Sequence, residues 1–349
     1  MPFINEQLEH NKEQQQQARY KNEAARASRF TFNPANVMDD LYARIIGQNQ
    51  ILDSIEDVLF TVKADFSIDN KPLAVVLLLG PTGVGKTESV RVITQSILGH
   101  SDNFCRIDMN TLAQEHYTAA LTGSPPGYVG SKEGQTLFDI EKIKGSFSQP
   151  GIVLFDEIEK ADKQVVRAIM NIFDTGKLTL TSGVKDIDFS NSIIFMTSNL
   201  GARELERHLE KQSKGWRKFL PLKNKSQSRI LDNALTQHFD PEFINRIDCV
   251  LPFNWLGDNH LDDLVNLEVS KLNSRLKKRN AHIQLDNEAK QYLINKYDGR
   301  YGARDIARIF KNNLNPKIAK AILASPDESE FRVLIQGRKL IVTSVSAQP

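Results

Sequence analysis

Four short segments of the chain are apolar at nearly every position, and stretches long enough to hold a helix separate them. The segments are Leu73–Leu79, Phe104–Asp108, Gly151–Phe155 and Ser192–Thr197. Strands without polar alternation are typical of a sheet that is covered on both faces, and long connections suit crossover helices between parallel strands. The pattern predicts an α/β fold with a parallel sheet in a large domain over residues 39–251.

The pattern changes after residue 251, where helical periodicity, a short strand and a final alternation follow. Two helical stretches, one strand and one hairpin are indicated: Leu261–Arg279 and Glu288–Ala324, His282–Leu285, and Phe331–Val345. The hairpin is indicated because apolar and polar positions alternate on both sides of Gly337. We expect residues 252–349 to form a smaller α+β domain.

The chain before residue 39 is mostly polar. Residues 14–17 are a glutamine tract, and apolar positions such as Ile4 and Leu8 are scattered. Such a composition buries too little apolar surface to offset the entropy of folding. We therefore expect residues 1–38 to be a polar arm.

Composition excludes several classes of protein. The 349 residues carry 45 Lys and Arg against 43 Asp and Glu, so a net charge of +2 requires neither a nucleic acid nor an anionic membrane as partner. Leu73–Leu79 is the longest apolar run and is far too short to cross a bilayer. Cys105 and Cys249 lack metal-ligand spacing and suit a reducing compartment. We expect a soluble, cytoplasmic protein without membrane partners.

A phosphate-binding loop follows the first apolar segment. Residues 80–87 match the pattern G-x-x-x-x-G-K-[ST] between a strand and a helix-like stretch, Glu88–Leu98. Glycines let backbone N–H groups approach phosphate oxygens, and the positive end of the helix strengthens the attraction. Lys86 supplies a charge for the phosphates, and Thr87 supplies a hydroxyl for Mg²⁺. The residues predicted to bind ATP here are Pro81, Thr82, Gly83, Val84, Gly85, Lys86 and Thr87.

Two carboxylates, Asp156 and Glu157, follow the third apolar segment. Open α/β sheets bind ligands at the carboxyl ends of their strands, and the phosphate loop leaves a strand of the same predicted sheet. We expect Asp156 to hold Mg²⁺ with Thr87, and Glu157 to polarise the attacking water as general base. The combination predicts Mg-dependent hydrolysis of ATP.

Six motifs occur in one order along the chain. They are GPTGVGKT at 80–87, GSPPGYVG at 123–130, LFDEIEKA at 154–161, FMTSNLG at 195–201, PEFINRID at 241–248 and YGAR at 301–304. Together they resemble the Clp family of AAA+ protein unfoldases, in particular the second ATPase module of ClpB-type disaggregases. The resemblance covers residues 38–345. It implies a P-loop AAA+ large domain with a five-stranded parallel sheet, a smaller α+β domain that acts as a lid, and a homo-hexameric ring that uses ATP to remodel protein substrates.

The resemblance also implies roles for single residues. Asn199 matches the first sensor, which orients the hydrolytic water. Arg246 matches the arginine finger, which reaches the γ-phosphate bound by a neighbouring subunit. Arg304 matches the second sensor, which couples nucleotide state to domain closure. The segment that packs on adenine is matched by Ile45, Ile46 and Gly47.

Residues 127–130, Gly-Tyr-Val-Gly, resemble the axial pore loop of this family. We expect Tyr128 and Val129 to contact the substrate, because an aromatic ring offers a large contact area with little sequence selectivity. Residues 131–133 lack the tyrosine and the first acidic residue of the family pattern, and Ala120 replaces an arginine. These departures leave the strength of the grip and the substrate preference open.

Segment 203–229 leaves a second function open. It carries nine Lys and Arg, three acidic residues, Trp216 and Phe219. A basic loop with aromatics suits an adaptor, an acidic protein or a nucleic-acid backbone, and it is also compatible with a solvated insertion. The alternative function is an AAA+ ATPase that acts on nucleic-acid-bound protein complexes. A nucleotide-gated scaffold without turnover is a third possibility.

One family feature is missing from the sequence. Unfoldases that feed the Clp peptidase carry an Ile/Leu-Gly-Phe/Leu tripeptide after the first sensor. No such tripeptide occurs between Gly201 and Pro241. We therefore predict that the chain does not couple to the Clp peptidase.

Overall fold

The computed structural model describes residues 28–66, 68–113, 137–179, 186–202, 204, 205, 207 and 224–345. The predicted pore-loop residues Tyr128 and Val129 lie outside the described residues. So do residues 1–27 of the predicted arm and most of the basic segment 203–229.

A five-stranded parallel sheet in the order β2-β3-β6-β1-β7 forms the centre of the larger part of the chain. Its strands are β1 (Ala74–Leu79), β2 (Cys105–Asp108), β3 (Gly151–Asp156), β6 (Ser192–Ser198) and β7 (Cys249–Pro252). A separate antiparallel pair consists of β4 (Lys177–Thr179) and β5 (Asp186–Asp188). All four apolar segments of the sequence are strands of the parallel sheet, which confirms the predicted α/β class.

Successive side chains of the central strands enter two different cores. In β1, Ala74 and Val76 pack in the core on one face, whereas Val75 and Leu77 pack in the core on the other. Every residue of β1, β3 and β6 is buried. Because neither face of these strands meets solvent, their sequences show no polar alternation.

Helices cover both faces of the parallel sheet. They are α1 (Pro34–Arg44), α2 (Asn49–Lys63), α3 (Lys86–Leu98), α4 (Ile140–Lys144), α5 (Lys163–Thr175), α6 (Asn224–His238) and α7 (Pro241–Ile244). The first three contribute to one core, and α5 and α6 contribute to the other. Within the part of the chain that the structure describes, no helix combines the length and the apolar character needed to span a membrane.

The folded part of the chain begins before residue 39, where the sequence placed the end of the polar arm. Phe30, Phe32, Val37 and Met38 are all buried in the core beside the sheet. The α1 helix starts at Pro34, because Asn33 caps it by accepting a hydrogen bond from the Ala35 N–H. Residues 28–38 therefore belong to the globular part, and their mixed composition hides this.

The C-terminal part contains a three-stranded sheet in the order β10-β9-β8 with helices packed against it. The elements are α8 (Leu261–Leu276), β8 (His282–Leu285), α9 (Asn287–Ile294), α10 (Ala303–Ile309), α11 (Asn315–Ala324), β9 (Glu330–Gln336) and β10 (Lys339–Ser344). The β9–β10 hairpin turns at Gly337 and Arg338, which both have positive φ. These elements form the smaller α+β unit that the sequence predicts.

Candidate functional site

A cavity of about 410 Å³ opens at the carboxyl edge of the parallel sheet. The loops that leave β1, β3 and β6 meet there, and α8 and α10 of the C-terminal part form the facing wall. Most of the predicted nucleotide-site residues line the cavity: Ile45, Ile46, Thr82, Gly83, Val84, Gly85, Lys86, Thr87, Asp156, Glu157, Asn199 and Arg304. Residues from the larger part and from the C-terminal part of the chain thus form one site.

Three other described residues of the predicted site, Gly47, Pro81 and Arg246, do not line this cavity. Gly47 has a φ of +74°, and a Cβ there would stand 2.9 Å from the His260 ring. The Pro81 carbonyl oxygen accepts a hydrogen bond from Lys86, which does line the cavity. Gly47 and Pro81 therefore lie beside residues of the cavity wall without being part of it.

Glycines with positive φ bend the phosphate loop. Gly80, Gly83 and Gly85 have φ values of +141°, +79° and +110°. A Cβ on Gly83 would stand 2.1 Å from the carbonyl oxygen of Tyr301, so no larger residue fits. Gly85 precedes α3, and no side chain caps the first N–H groups of that helix. These groups are available to an anion in the cavity.

The ammonium group of Lys86 is folded back onto its own loop. It donates to the carbonyl oxygens of Gly80 (2.5 Å) and Pro81 (2.7 Å) and to the side-chain oxygen of Asn199 (2.9 Å). The pKa of Lys86 is lowered to about 7, mainly by burial and also by the nearby Arg304, while Glu159 opposes the shift. A phosphate beside Lys86 would stabilise its charged form.

Asp156 is buried and satisfied by two donors. Its Oδ2 accepts from Arg106 Nε (3.0 Å) and Nη2 (2.5 Å), and its Oδ1 accepts from the Thr197 hydroxyl. The guanidinium compensates for a carboxylate that is only 7% exposed. Thr87 lines the same cavity, so the two residues provide the hard oxygen ligands that Mg²⁺ prefers. The donor set fits this metal.

Glu157 has an unusual backbone conformation. Its φ of 58° and ψ of 52° are left-handed, which is rare for a residue other than glycine and is frequent at functional sites. The backbone N–H donates to Thr197 Oγ1 over 3.0 Å and so ties this turn to β6. The side chain accepts hydrogen bonds from Asn110 Nδ2 at Oε2 (2.6 Å) and from Asn199 Nδ2 at Oε1 (3.5 Å).

Sequence reasoning missed three residues that organise these carboxylates, namely Arg106, Asn110 and Thr197. Arg106 lies within the short strand β2, Asn110 lies just after this strand, and Thr197 lies near the end of β6. The sequence contained one indication, namely that these residues lie in or just after segments predicted as strands, and the carboxyl ends of parallel strands converge on the site. No pattern within their own segments indicates which carboxylate each one contacts.

Arg304 reaches the cavity from the first turn of α10. The preceding residues contact the phosphate loop through the main chain, where the Ala303 N–H donates to the Gly83 carbonyl oxygen over 2.9 Å. Gly302 has a φ of +56°, and a Cβ there would stand 2.7 Å from the same oxygen. The helix that carries Arg304 is thus docked on the phosphate loop.

Arg246 lies elsewhere. Its Nε donates to Asp174 Oδ2 over 2.6 Å, and its Nη1 donates to the Glu242 carbonyl oxygen over 2.6 Å. It precedes β7, so it lies toward the amino edge of the parallel sheet, whereas the cavity is at the carboxyl edge. The structure does not bring Arg246 together with Lys86, Asp156 and Glu157.

Family models match both parts of the chain. One described as "AAA domain (Cdc48 subfamily)" matches residues 71–250, and one described as "C-terminal, D2-small domain, of ClpB protein" matches residues 256–333. The chain belongs to the Clp family of AAA+ ATPases. This confirms the family that the six motifs indicated, and membership of an ATPase family implies that the chain binds ATP.

Relatives of this Clp-family chain fall into two sizes. A Pseudomonas aeruginosa protein named "ATP-dependent protease ATP-binding subunit-like protein AmiB" is 42% identical over 93% of each chain. A Rhodococcus erythropolis protein named "ATP-dependent protease ATP-binding subunit-like protein" is 39% identical over 84% of each. Chaperone protein ClpB of Oceanobacillus iheyensis is 34% identical over 86% of this chain but only 36% of its own length. This chain therefore has the size of a single Clp module, and its family supports a function of the chaperone or unfoldase type.

Proposed function

We propose that this Clp-family chain is an Mg-dependent ATPase that assembles into a ring of six and pulls protein substrates through the central channel. The observation that carries the proposal is the cavity, which combines the phosphate loop, two carboxylates, an amide sensor and Arg304 from the facing part. Phosphate-binding, water-activating and closure-sensing groups therefore share one site. Such a site couples hydrolysis to movement of one part of the chain against the other.

The phosphate loop binds and orients the nucleotide. Lys86 exchanges the carbonyl oxygens of Gly80 and Pro81 for phosphate oxygens, which attract its charge more strongly. Thr87 and Asp156 would hold Mg²⁺, which neutralises the charge that develops on the β- and γ-phosphates. The N–H groups at the start of α3 add further donors to the phosphates.

Glu157 takes the proton of the attacking water. Both of its carboxylate oxygens already accept amide N–H groups, so the carboxylate is oriented before water arrives. The contact of Asn199 with Oε1 is the longer one at 3.5 Å, which makes this oxygen the easier one to turn toward a water molecule. Asn199 also accepts a hydrogen bond from Lys86. It therefore links the phosphate-binding cation to the general base.

Assembly into a ring would complete the site. Arg246 is on the side of the sheet away from its own cavity, as is expected for a residue that acts on the nucleotide of a neighbouring subunit. Tyr128 and Val129 would then deliver the work by gripping the polypeptide. This step rests on the family resemblance of residues 127–130, because these residues lie outside the described part of the chain.

The ATPase part of the proposal is tested with Glu157→Gln. The variant should bind ATP, lose hydrolysis and remain assembled, and an exposed residue of α4, Glu141→Gln, serves as the matched control. The readouts are phosphate release and the particle mass with and without ATP. Hydrolysis at the normal rate by Glu157→Gln would reject Glu157 as the base, and a protein that stays a single subunit with ATP would reject the ring.

The substrate-pulling part is tested with Tyr128→Ala. This variant should still hydrolyse ATP but lose the ability to unfold a tagged substrate protein, because the aromatic grip is gone. The control is Tyr42→Ala, since Tyr42 is an exposed ring on α1. Undiminished unfolding by Tyr128→Ala would reject threading through this loop.

Binding of a nucleic acid is tested directly with DNA. Segment 203–229 is basic, and steeply salt-dependent binding of DNA would support the nucleic-acid alternative, whereas no binding at low salt would remove it.

The names of two relatives contain the words "ATP-dependent protease ATP-binding subunit", while this sequence lacks the tripeptide loop. We propose that no peptidase couples to the chain, and ATP-dependent degradation by a mixture with the Clp peptidase would contradict this.

A further inference from the structure

The side chain of Arg246 is held on one side only. Asp174 accepts a hydrogen bond from Nε, and the Glu242 carbonyl oxygen accepts one from Nη1, both over 2.6 Å. Among the described residues, none bonds to Nη2 of Arg246. The guanidinium is thus held through two of its nitrogens, while the side chain as a whole is 30% exposed.

A rigid base supports this ion pair. Asp174 directly follows Phe173, and the Arg246 N–H donates to the carbonyl oxygen of Phe243 over 3.2 Å. Phe173 and Phe243 are buried, and their ring centroids are 6.1 Å apart. Phe239 stacks on Phe243 with a centroid distance of 4.5 Å. Because buried aromatic packing fixes both backbones, the surface pair joins two points that do not move independently.

The pair is remote from the cavity of its own chain. Neither Asp174 nor Arg246 lines it, and both lie at the amino edge of the sheet, at the end of α5 and before β7. A strand of six residues such as β1 spans about 20 Å, which exceeds the reach of an arginine side chain. A role of this pair in ATP turnover therefore has to be exerted outside its own chain.

We propose that Asp174 is a positioning residue that presents the guanidinium of Arg246 to the ATP bound by the neighbouring subunit. This inference rests on the proposed function, in which Arg246 acts across the subunit boundary. Asp174 holds Nε, so that Nη2 faces the γ-phosphate in a single orientation. Such a half-exposed pair contributes little to folding stability, and its effect is orientation.

The test compares Asp174→Ala and Asp174→Asn with Arg246→Ala. Asp174→Ala should lower ATP turnover ten- to a hundredfold, as expected for a misplaced catalytic group, while the ATP Kd and the particle mass stay unchanged. Asp174→Asn retains a hydrogen-bond acceptor and should lose less. The matched control is Asp65→Asn, because Asp65 forms a similarly half-exposed pair with Arg29 over 3.0 Å.

Rings mixed from two variants test whether Asp174 acts across the subunit boundary. If Asp174 only stabilised its own subunit, mixing would not restore ATP turnover. A Lys86→Ala subunit cannot hydrolyse ATP but carries an intact Asp174–Arg246 pair. Mixed with Asp174→Ala subunits, it should supply a correctly held arginine to their cavities and raise turnover above that of either variant alone. Arg246→Ala should be complemented in the same way.

The outcomes separate this inference from the function on which it rests. If Arg246→Ala turns over normally or is not complemented, the action of Arg246 across subunits is rejected. If Arg246→Ala is complemented while Asp174→Ala turns over normally, or is impaired without being complemented, only the positioning role of Asp174 is rejected. Asp174→Asn, which is isosteric, decides the question if the alanine variant fails to fold.

Discussion

Ala303 and Gly83 are joined by a main-chain hydrogen bond of 2.9 Å, donated by the Ala303 N–H to the Gly83 carbonyl oxygen. Gly83 lies in the phosphate loop, and Ala303 begins the helix that carries Arg304. The contact joins the C-terminal part of the chain to the loop that meets the phosphates. A shift of either part therefore moves the other through this hydrogen bond.

Gly302→Ala should weaken this contact. A Cβ at residue 302 would stand 2.7 Å from the Gly83 carbonyl oxygen, and the φ of +56° is itself unfavourable for alanine. The clash should displace α10 from the phosphate loop. We expect the ATP Kd to rise about tenfold, which corresponds to a cost of about 1.4 kcal/mol in binding free energy. The measurement is titration with a fluorescent ATP analogue.

The control for this variant is Gly337→Ala. Gly337 has nearly the same φ, +57°, but a Cβ there would meet nothing within 4 Å. It should lower the free energy of unfolding by about 1–2 kcal/mol through backbone strain alone and leave the ATP Kd unchanged. Equal effects of the two variants on the Kd would contradict a specific role for the Gly302 contact.

The lowered pKa of Lys86, about 7, predicts proton uptake on binding ATP. At pH 8 most of the free protein has a neutral Lys86, whereas phosphates favour the charged form, so binding should draw a proton from the buffer. Calorimetry in two buffers of different ionisation enthalpy measures this uptake. The ATP affinity should also fall as the pH rises above 7, and binding at pH 8 without proton uptake would show that Lys86 is already charged.

The same pKa has a consequence for stability. Burial lowers the pKa of Lys86 from 10.5, so between about pH 7 and 10.5 the unfolded chain binds this proton and the folded chain does not. The contribution of Lys86 to the free energy of unfolding therefore rises with pH across this window. Lys86→Met should remove that slope. Chemical denaturation of both proteins at pH 7 and pH 9 checks the difference.

Asn110→Ala should lower the rate of ATP hydrolysis severalfold. Asn110 donates a 2.6 Å hydrogen bond to Glu157, and this bond holds the carboxylate in one orientation for the attacking water. The ATP Kd should not change, because Asn110 does not line the cavity. Asn266→Ala, on α8, is the control. An unchanged or higher rate in Asn110→Ala would contradict the orienting role of this hydrogen bond.

Arg106→Gln should make folding more dependent on Mg²⁺. Without the guanidinium, the buried carboxylate of Asp156 keeps the Thr197 hydroxyl but loses its charge partner. We expect a loss of about 1–3 kcal/mol in the free energy of unfolding, since Arg106 itself is half-exposed. Millimolar Mg²⁺ should raise the Tm of this variant more than that of the wild type.

Arg91→Gln is the control for Arg106→Gln. Arg91 also lines the cavity, but its ion pair with Asp102 is longer, at 3.8 Å, and largely exposed. Its replacement should leave the response to Mg²⁺ unchanged. An identical Mg²⁺ response in all three proteins would contradict the view that metal and Arg106 share Asp156.

Segments that carry their own pattern were predictable from the sequence. The central strands lie within a residue or two of their predicted bounds, because a strand covered on both faces must be apolar throughout. The phosphate loop was equally clear, since its glycines and lysine act within eight consecutive residues, 80–87. The start of the globular part was misplaced, because Phe30 and Phe32 become buried only against distant elements.

Contacts between distant segments were not predictable. Arg106 lies 50 residues from its partner Asp156, and Asn110 lies 47 residues from its partner Glu157. The sequence indicated that both carboxylates belong to the site, but it contained nothing to pair them with these two side chains. Each pairing depends on the order of the strands, in which β2 lies beside β3.

The amino-acid sequence alone determined the family, the parallel sheet and the chemistry of the phosphate loop, because each of these is written in short consecutive patterns. Only the tertiary structure decided that Arg304 shares the cavity while Arg246 is held by Asp174 at the opposite edge. The physical reason is that the position of each arginine relative to the cavity depends on packing between segments that are far apart in the chain. Local patterns contain no information about that packing.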